Sequence, residues 1–251
     1  MTSTNHSLET IGVHKDDVQG KMLMLAVFLL CLLSMSSGSG GLANKILVFP
    51  EKTANSYVTI TPEKPLSLTA FTLCMRVATE LQGKREVILF AYRTYDVDEL
   101  NVWIETDGTI SLYLSSSSEG VRFNLPPLTF GTHLCFTWSS STGLTAAWMN
   151  GQRSVYQIYR KGHTIRSGGT VLLGQYPESF LGDFDAEQSF EGEITDVNLW
   201  DEVLTTDEIK GLYSHTTVKV PNVINWVTAQ FVKYGIVVVI QDDFSFNTQM
   251  S

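Results

Sequence analysis

The chain has 251 residues, 43% of them hydrophobic and 17% charged, with a formal net charge of −9 at pH 7. This composition supports one sizeable globular core. The acidic balance argues against general nucleic-acid binding, because phosphate backbones repel such a surface; it suits cationic ligands or a divalent metal, and equally simple solubility.

Residues 1–20 are polar, include Asp16 and Asp17, and form an extra N-terminal segment of doubtful status. Residues 21–40 read as a signal peptide: Lys21 is the basic flank, Met22 to Leu33 is a run of 12 apolar residues, and small residues follow through Gly41. A bilayer-spanning helix needs roughly 20 apolar residues, so secretion is the expectation, with cleavage between Ser37 and Gly41. A start at Met22 or Met24, or a signal anchor, are the alternatives.

Residues 41–251 form one domain in which period-two patterning dominates. Phe71, Leu73, Met75 and Val77 alternate on one face, and so do the apolar residues of 100–105, which run through the turn Asp107-Gly108 into 109–114. Over 133–138, His133, Cys135 and Thr137 oppose Leu134, Phe136 and Trp138. Residues 144–149 run into Asn150-Gly151, a strong hairpin signal. Strands joined by turns every ten or so residues predict an antiparallel sandwich. One helix is expected after Thr205, whose spacing to Glu208 is that of a capping box, with Ile209, Leu212 and Tyr213 as its packing stripe. Ile236 to Ile240 reads as a last core strand before a polar tail.

Of three cysteines, Cys31 falls in the signal. Cys74 and Cys135 remain, and in a secreted chain they read as one disulfide; closing about 62 residues, it would contribute roughly 4 kcal/mol in the chain-entropy picture. A zinc reading starting from His133 and Cys135 lacks a second ligand pair at recognisable spacing.

Residues 172–193, LLGQYPESFLGDFDAEQSFEGE, hold the densest group of candidate oxygen ligands: Glu178, Asp183, Asp185, Glu187, Gln188 and Glu191. Calcium takes six to eight oxygens at flexible angles, so such a loop can wrap it; a solvated acidic loop is the alternative. An EF-hand register from Asp183 fails, placing Gln188 where glycine is needed and Ile194 where the bidentate glutamate is needed. Asp183, Asp185 and Glu187 also resemble the acidic strand of certain retaining jelly-roll glycosidases. That chemistry needs carboxyls about 5 to 5.5 Å apart, and residues four apart on a regular strand are separated by roughly 13 Å.

Residues 133–140, HLCFTWSS, fit the pattern H-x-C-x-[ST]-W-x-[ST], and here the chain resembles the short pentraxin family. LVFPEKTANSYVTI (47–60), FTLCMRV (71–77), the stretch 173–204 with VNLWDEVL, and PNVINW (221–226) extend the resemblance over nearly all of residues 41–251. It implies an all-β, two-sheet antiparallel jelly-roll sandwich with one short helix on one face, and a Cys74–Cys135 bridge. It further implies a secreted cyclic homo-oligomer, usually a pentamer, with calcium on the face opposite the helix. Such proteins bind phosphocholine, phosphoethanolamine or anionic carbohydrate and act in innate recognition with complement-type partners. A metal-free interaction module of the same fold is the alternative function, and a jelly-roll glycosidase a remote one.

Carried over residue by residue, the resemblance implies Asp98, Glu178, Asp185, Gln188 and the Pro177 carbonyl as calcium ligands. Val97 stands where an aspartate ligand is expected, with Asp96 as its substitute, and Tyr176 where a bridging glutamate is expected. Calcium affinity follows ligand charge, so the site is expected to be weakened or lost. Trp103, Tyr113 and Glu119 fall at the ligand pocket: two aromatic faces and a carboxylate suit an amine. The bulk of Tyr113 favours phosphoethanolamine or sugars over phosphocholine. Plain outward strand positions are the alternative for both aromatics, although alternation places Trp103 on the face of Glu105.

Overall fold

Alternation turns most of the predicted segments into strands. The computed structural model describes residues 41–242 apart from 82, 217 and 218. The 1–20 segment, the signal over 21–40 with Cys31, and the tail beyond 242 lie outside the described residues. One sheet contains β1 (Lys45–Phe49), β3 (Ala70–Ala78), β8 (Thr132–Ser139), β9 (Leu144–Met149), β13 (Gly192–Trp200) and β15 (Val238–Gln241), with the short strands β10 (Gln152–Arg153) and β11 (Gln157–Ile158) against β9. Its order is β10-β9-β8-β3-β13-β1-β15. The second sheet contains β2 (Tyr57–Thr61), β4 (Val87–Arg93), β5 (Asp98–Ile104), β6 (Ile110–Leu114), β7 (Val121–Phe123), β12 (Thr170–Leu173) and β14 (Gln230–Tyr234), in the order β14-β2-β12-β4-β5-β6-β7. The β-strand pairs in both sheets are antiparallel.

The core lies between the sheets. Phe71, Leu73, Met75 and Val77 of β3 and Leu134, Phe136 and Trp138 of β8 meet Leu100, Val102 and Ile104 of β5 and Ile110, Leu112 and Leu114 of β6, all buried in one cluster. Each such side chain contributes roughly 1.5–3 kcal/mol by leaving water. Asn150 and Gly151 both take positive φ, 49° and 76°, as the tight turn from β9 to β10 requires.

The opposite faces of β3, β8, β9 and β13 are covered by α1 (Thr206–Tyr213). Thr205 and Glu208 form the reciprocal capping box. Ile209 packs with Leu204, Trp148, Trp200 and the Cys74–Cys135 pair, and Leu212 lies against them. Tyr213 departs from its assigned stripe: it is 41% exposed, and its ring lies 6.1 Å from that of His133. The two cysteines stand directly opposite in the β3–β8 register and are bridged. The last strand also differs from expectation. β15 is an edge strand with Val238 and Ile240 exposed and Val237 buried beside it, because no further strand or helix among the described residues covers its outer side.

His133 is 4% exposed. Burial, then the charges of Arg76 and His215, push its pKa down to about 3. Between that value and the ordinary 6.5 the unfolded chain holds a proton that the folded chain refuses, so stability falls as pH falls through this window. His133→Gln is expected to flatten the decline by roughly 3–5 kcal/mol between pH 7 and pH 3, measured as the difference between the two proteins' denaturation free energies across pH. Gly174 ends β12 at φ 90°, and a Cβ there would lie 2.1 Å from a Phe49 ring carbon. Gly174→Ala is expected to cost about 2–4 kcal/mol by chemical denaturation.

Candidate functional site

The outer face of the second sheet, opposite α1, carries the predicted site. Strict alternation along β5 would send Asp98 into the core with Leu100 and Val102. A bulge prevents this: Tyr92 pairs with Leu100 and Arg93 with Asp98, leaving Glu99 as the extra residue. A bulge re-aims side chains, and here Asp98 joins Asn101, Trp103 and Glu105 along a cavity of about 450 Å³ that Tyr113, Arg122, Tyr176 and Gln188 also line. The displaced Glu99 is fully buried and receives Arg166 Nε at 2.5 Å.

The acidic loop folds back over this face. At its base the Phe190 amide donates to the Gly174 carbonyl at 3.0 Å. Within the loop, Tyr176 packs edge-on against Trp103 at 4.8 Å, and Phe184 packs on Tyr57 at 4.8 Å. Arg85 donates to the Glu187 and Ser189 carbonyls and pairs with Glu191. Asp185 caps a short 3₁₀ turn, Ala186–Gln188, by accepting from the Glu187 amide. This stretch is therefore no strand, and the alternating acidic geometry of a glycosidase is not formed by Asp183, Asp185 and Glu187.

Asp98 is matched from two sides. Arg93 Nη1 lies 2.6 Å from Oδ1, and the Tyr176 hydroxyl donates to Oδ2 at 2.9 Å. Burial first, and then the Asp98 charge, raises the Tyr176 pKa, so the phenol stays a donor at neutral pH. Where the resemblance expects a second carboxylate beside Asp98, this chain places a neutral hydroxyl that hydrogen-bonds to it.

The donor set can be tested against calcium. Asp98 Oδ1 receives no directed hydrogen bond despite the arginine beside it, and Gln188 Oε1 and Asn101 Oδ1 are likewise buried without one. All three are oxygens, all three residues line the same cavity, and oxygen is the donor type a hard cation requires. The residues fit calcium in kind and supply little charge. Glu178, Asp183, Asp185 and Asp96 are exposed, whereas Pro177 is buried. Val97 engages Thr94 through its backbone.

Trp103 and Tyr113 stand in the cavity as the sequence places them. Glu119 does not line it: Ser116 and Ser117 of the same loop do, whereas Glu119 is exposed and its carbonyl accepts from the Tyr159 hydroxyl. The carboxylate beside the aromatics is Glu105, which accepts from the Ser111 and Tyr113 hydroxyls. It is paired with Arg122. The alternation Val121-Arg122-Phe123, with one exposed residue between two buried ones, is the signal by which Arg122 was readable. A zinc site at Cys74, His133 and Cys135 is geometrically close, but both sulfurs are spent in the disulfide. A larger cavity, about 600 Å³, opens on the other sheet; its Arg76 is already paired with Asp196 at 3.2 Å and with His215 at 2.9 Å.

The chain is thus a two-sheet antiparallel jelly roll with a helix on one face and an oxygen-lined pocket containing aromatic side chains on the other. The Pentaxin family model matches residues 45–241, and the chain belongs to the pentraxin family. It is 56% identical over 226 residues to C-reactive protein of Danio rerio, covering 88% of this chain and 100% of that one. It is 44% identical over 197 residues to a pentraxin fusion protein of Xenopus laevis, covering 77% of this chain and 46% of that one. The heptameric SAP-like pentraxin of Limulus polyphemus superposes with a TM-score of 0.68 at 25% identity, over 80% of this chain and 97% of that one.

Removal of the Tyr176 hydroxyl leaves an oxygen of Asp98 without its donor. Tyr176→Phe is expected to cost about 1–3 kcal/mol in metal-free buffer, read from urea denaturation at pH 7.

Proposed function

We propose that this protein is a secreted pattern-recognition binder that holds phosphorylated amine head groups or anionic sugars at the second-sheet pocket with the help of calcium. The observation that carries this reading is the convergence of three side-chain oxygens, Asn101 Oδ1 and Gln188 Oε1 without a donor and Asp98 Oδ1 held only by Arg93, in the cavity that Trp103 and Tyr113 also line. Asp98, Gln188, Asp185, Glu178 and the Pro177 carbonyl, with Asp96 in place of Val97, would hold calcium, which supplies positive charge for a ligand phosphate or carboxylate. Trp103 offers a face to the ligand's amine or its C–H groups. Tyr113 narrows the space beside it, which favours phosphoethanolamine over phosphocholine. The signal-like segment over 21–40 supports secretion, and no helix among the described residues is long and apolar enough to cross a membrane. Family membership and the heptameric Limulus relative support a cyclic homo-oligomer, a pentamer or another ring, able to engage complement-type partners by multivalency.

A specific observation favours a second reading, a metal-free interaction module. Arg93 already supplies a positive charge to Asp98, and Tyr176 hydrogen-bonds to it, so the pocket keeps its shape without an ion.

The two readings separate on affinity resins. Passed over phosphoethanolamine and phosphocholine in calcium, the secreted protein is expected to be retained, more on phosphoethanolamine, and released by chelator. Flow-through of a folded oligomer on both resins selects the metal-free module. Tyr176→Glu adds the missing anionic ligand and is expected to raise calcium affinity by on the order of tenfold, measured by calorimetry.

A further inference from the structure

The pocket contains one cation among its described lining residues, Arg122, and nothing in the calcium reading uses it. Its position is fixed by register. Trp103 of β5 lies opposite Ser111 of β6, and Ser111 lies opposite Arg122 of β7. Three adjacent strands thus present an aromatic face, a hydroxyl and a guanidinium in one row on one side of the sheet. Strands are spaced by about 4.8 Å, so the Cα atoms of Trp103 and Arg122 are roughly 10 Å apart, a span that a sugar ring and its acidic substituent bridge.

Arg122 is held but not saturated. Its two bonds to carboxylates are long, 3.3 Å to Glu105 Oε2 and 3.4 Å to Asp107 Oδ2, and its side chain is 50% exposed. A guanidinium carries five N–H donors in a planar fork, which leaves an open edge for a second anion. Glu105, 6% exposed, is also bonded by Ser111 and Tyr113 on its other oxygen; it holds Nη2, while Nη1 is held only by the long contact to Asp107, which an incoming carboxylate would displace. In the same cavity, one row along the sheet, Asn101 Oδ1 is a buried acceptor with no donor. The empty pocket therefore combines an aromatic floor, an acceptor in need of a hydroxyl and a donor fork in need of an anion.

We propose that Arg122 is a ligand-binding, specificity-determining residue that anchors the carboxylate of an acidic sugar independently of metal, with the ring lying on Trp103 and a hydroxyl on Asn101. Glu105 is its positioning residue. The proposal rests on the reading of this pocket as the binding site.

The full secreted oligomer is flowed over sensor surfaces bearing glucuronate, glucose or phosphoethanolamine, in calcium and in chelator. The wild type is expected to prefer glucuronate to glucose by about tenfold or more in both buffers, the scale of one charge-assisted hydrogen-bonded contact. Arg122→Gln is expected to lower glucuronate binding more than glucose binding and so abolish that preference, and Arg122→Lys to keep part of it because charge remains without the fork. Glu105→Gln, which retains hydrogen-bonding capacity at that position, is expected to shift glucuronate affinity while Trp103→Ala lowers binding to every sugar surface. If Trp103→Ala abolishes binding but Arg122→Gln leaves the glucuronate preference within about twofold, the pocket stands and the role of Arg122 is overturned. If neither substitution matters, or the wild type binds no surface, both the pocket reading and the anchor fail. Preference for phosphoethanolamine with glucuronate no better than glucose overturns the acidic-sugar assignment.

Discussion

Three carboxylates of β5 and its extension are buried or nearly so, and each is matched to an arginine from a different element. Asp98 meets Arg93 of β4, Glu99 meets Arg166 of the loop before β12, and Glu105 meets Arg122 of β7. A nearly buried carboxylate without a partner is costly enough to neutralise itself or to disrupt the fold around it. These pairings therefore decide which way the bulge at Glu99 faces, how β7 closes the sheet edge and where the long loop before β12 docks.

This arrangement separates folding from ligand binding. The acidic loop is closed by the Gly174–Phe190 hydrogen bond, laid down by Tyr176 on Trp103 and Phe184 on Tyr57, and tied by Arg85. These contacts are made by the chain's own side chains and backbone. Two substitutions that read as losses from a metal centre, Val97 and Tyr176, have different structural outcomes: Val97 holds a turn through its backbone, whereas Tyr176 becomes an anchor that is both apolar and a donor.

Most of the fold was legible because the physics behind it is local. Period-two alternation located the strands on both sides of the core, Asn150-Gly151 marked its hairpin, and Thr205 with Glu208 marked the helix start. The failures have physical reasons. Val238 and Ile240 look like core residues because an edge strand has the same composition as a central one; only pairing distinguishes them. The bulge at Glu99 breaks an otherwise regular alternation without a glycine or proline to signal it. Glu105 was placed on the correct face by alternation with Trp103, but its partnership with Arg122 is a cross-strand fact invisible along one strand. Glu119 falls in a loop that reaches the pocket through Ser116 and Ser117 instead, and which residue of an irregular loop faces a cavity cannot be read from alternation. The oxygens at Asp98 and Gln188 were readable only through the family resemblance, since they are 90 residues apart and meet through sheet topology.

The aromatic tethering of Tyr176 and Phe184 has a consequence for how this surface can change over generations. When an ion staples a loop, a mutation in any ligand risks unfolding the loop as well as losing the ion, and variation there is suppressed. A loop stapled by its own rings carries no such penalty. Its acidic positions that make no structural contact of this kind can change charge with less risk to the scaffold beneath, whereas Asp185, which caps the 3₁₀ turn, and Glu191, which pairs with Arg85, remain constrained.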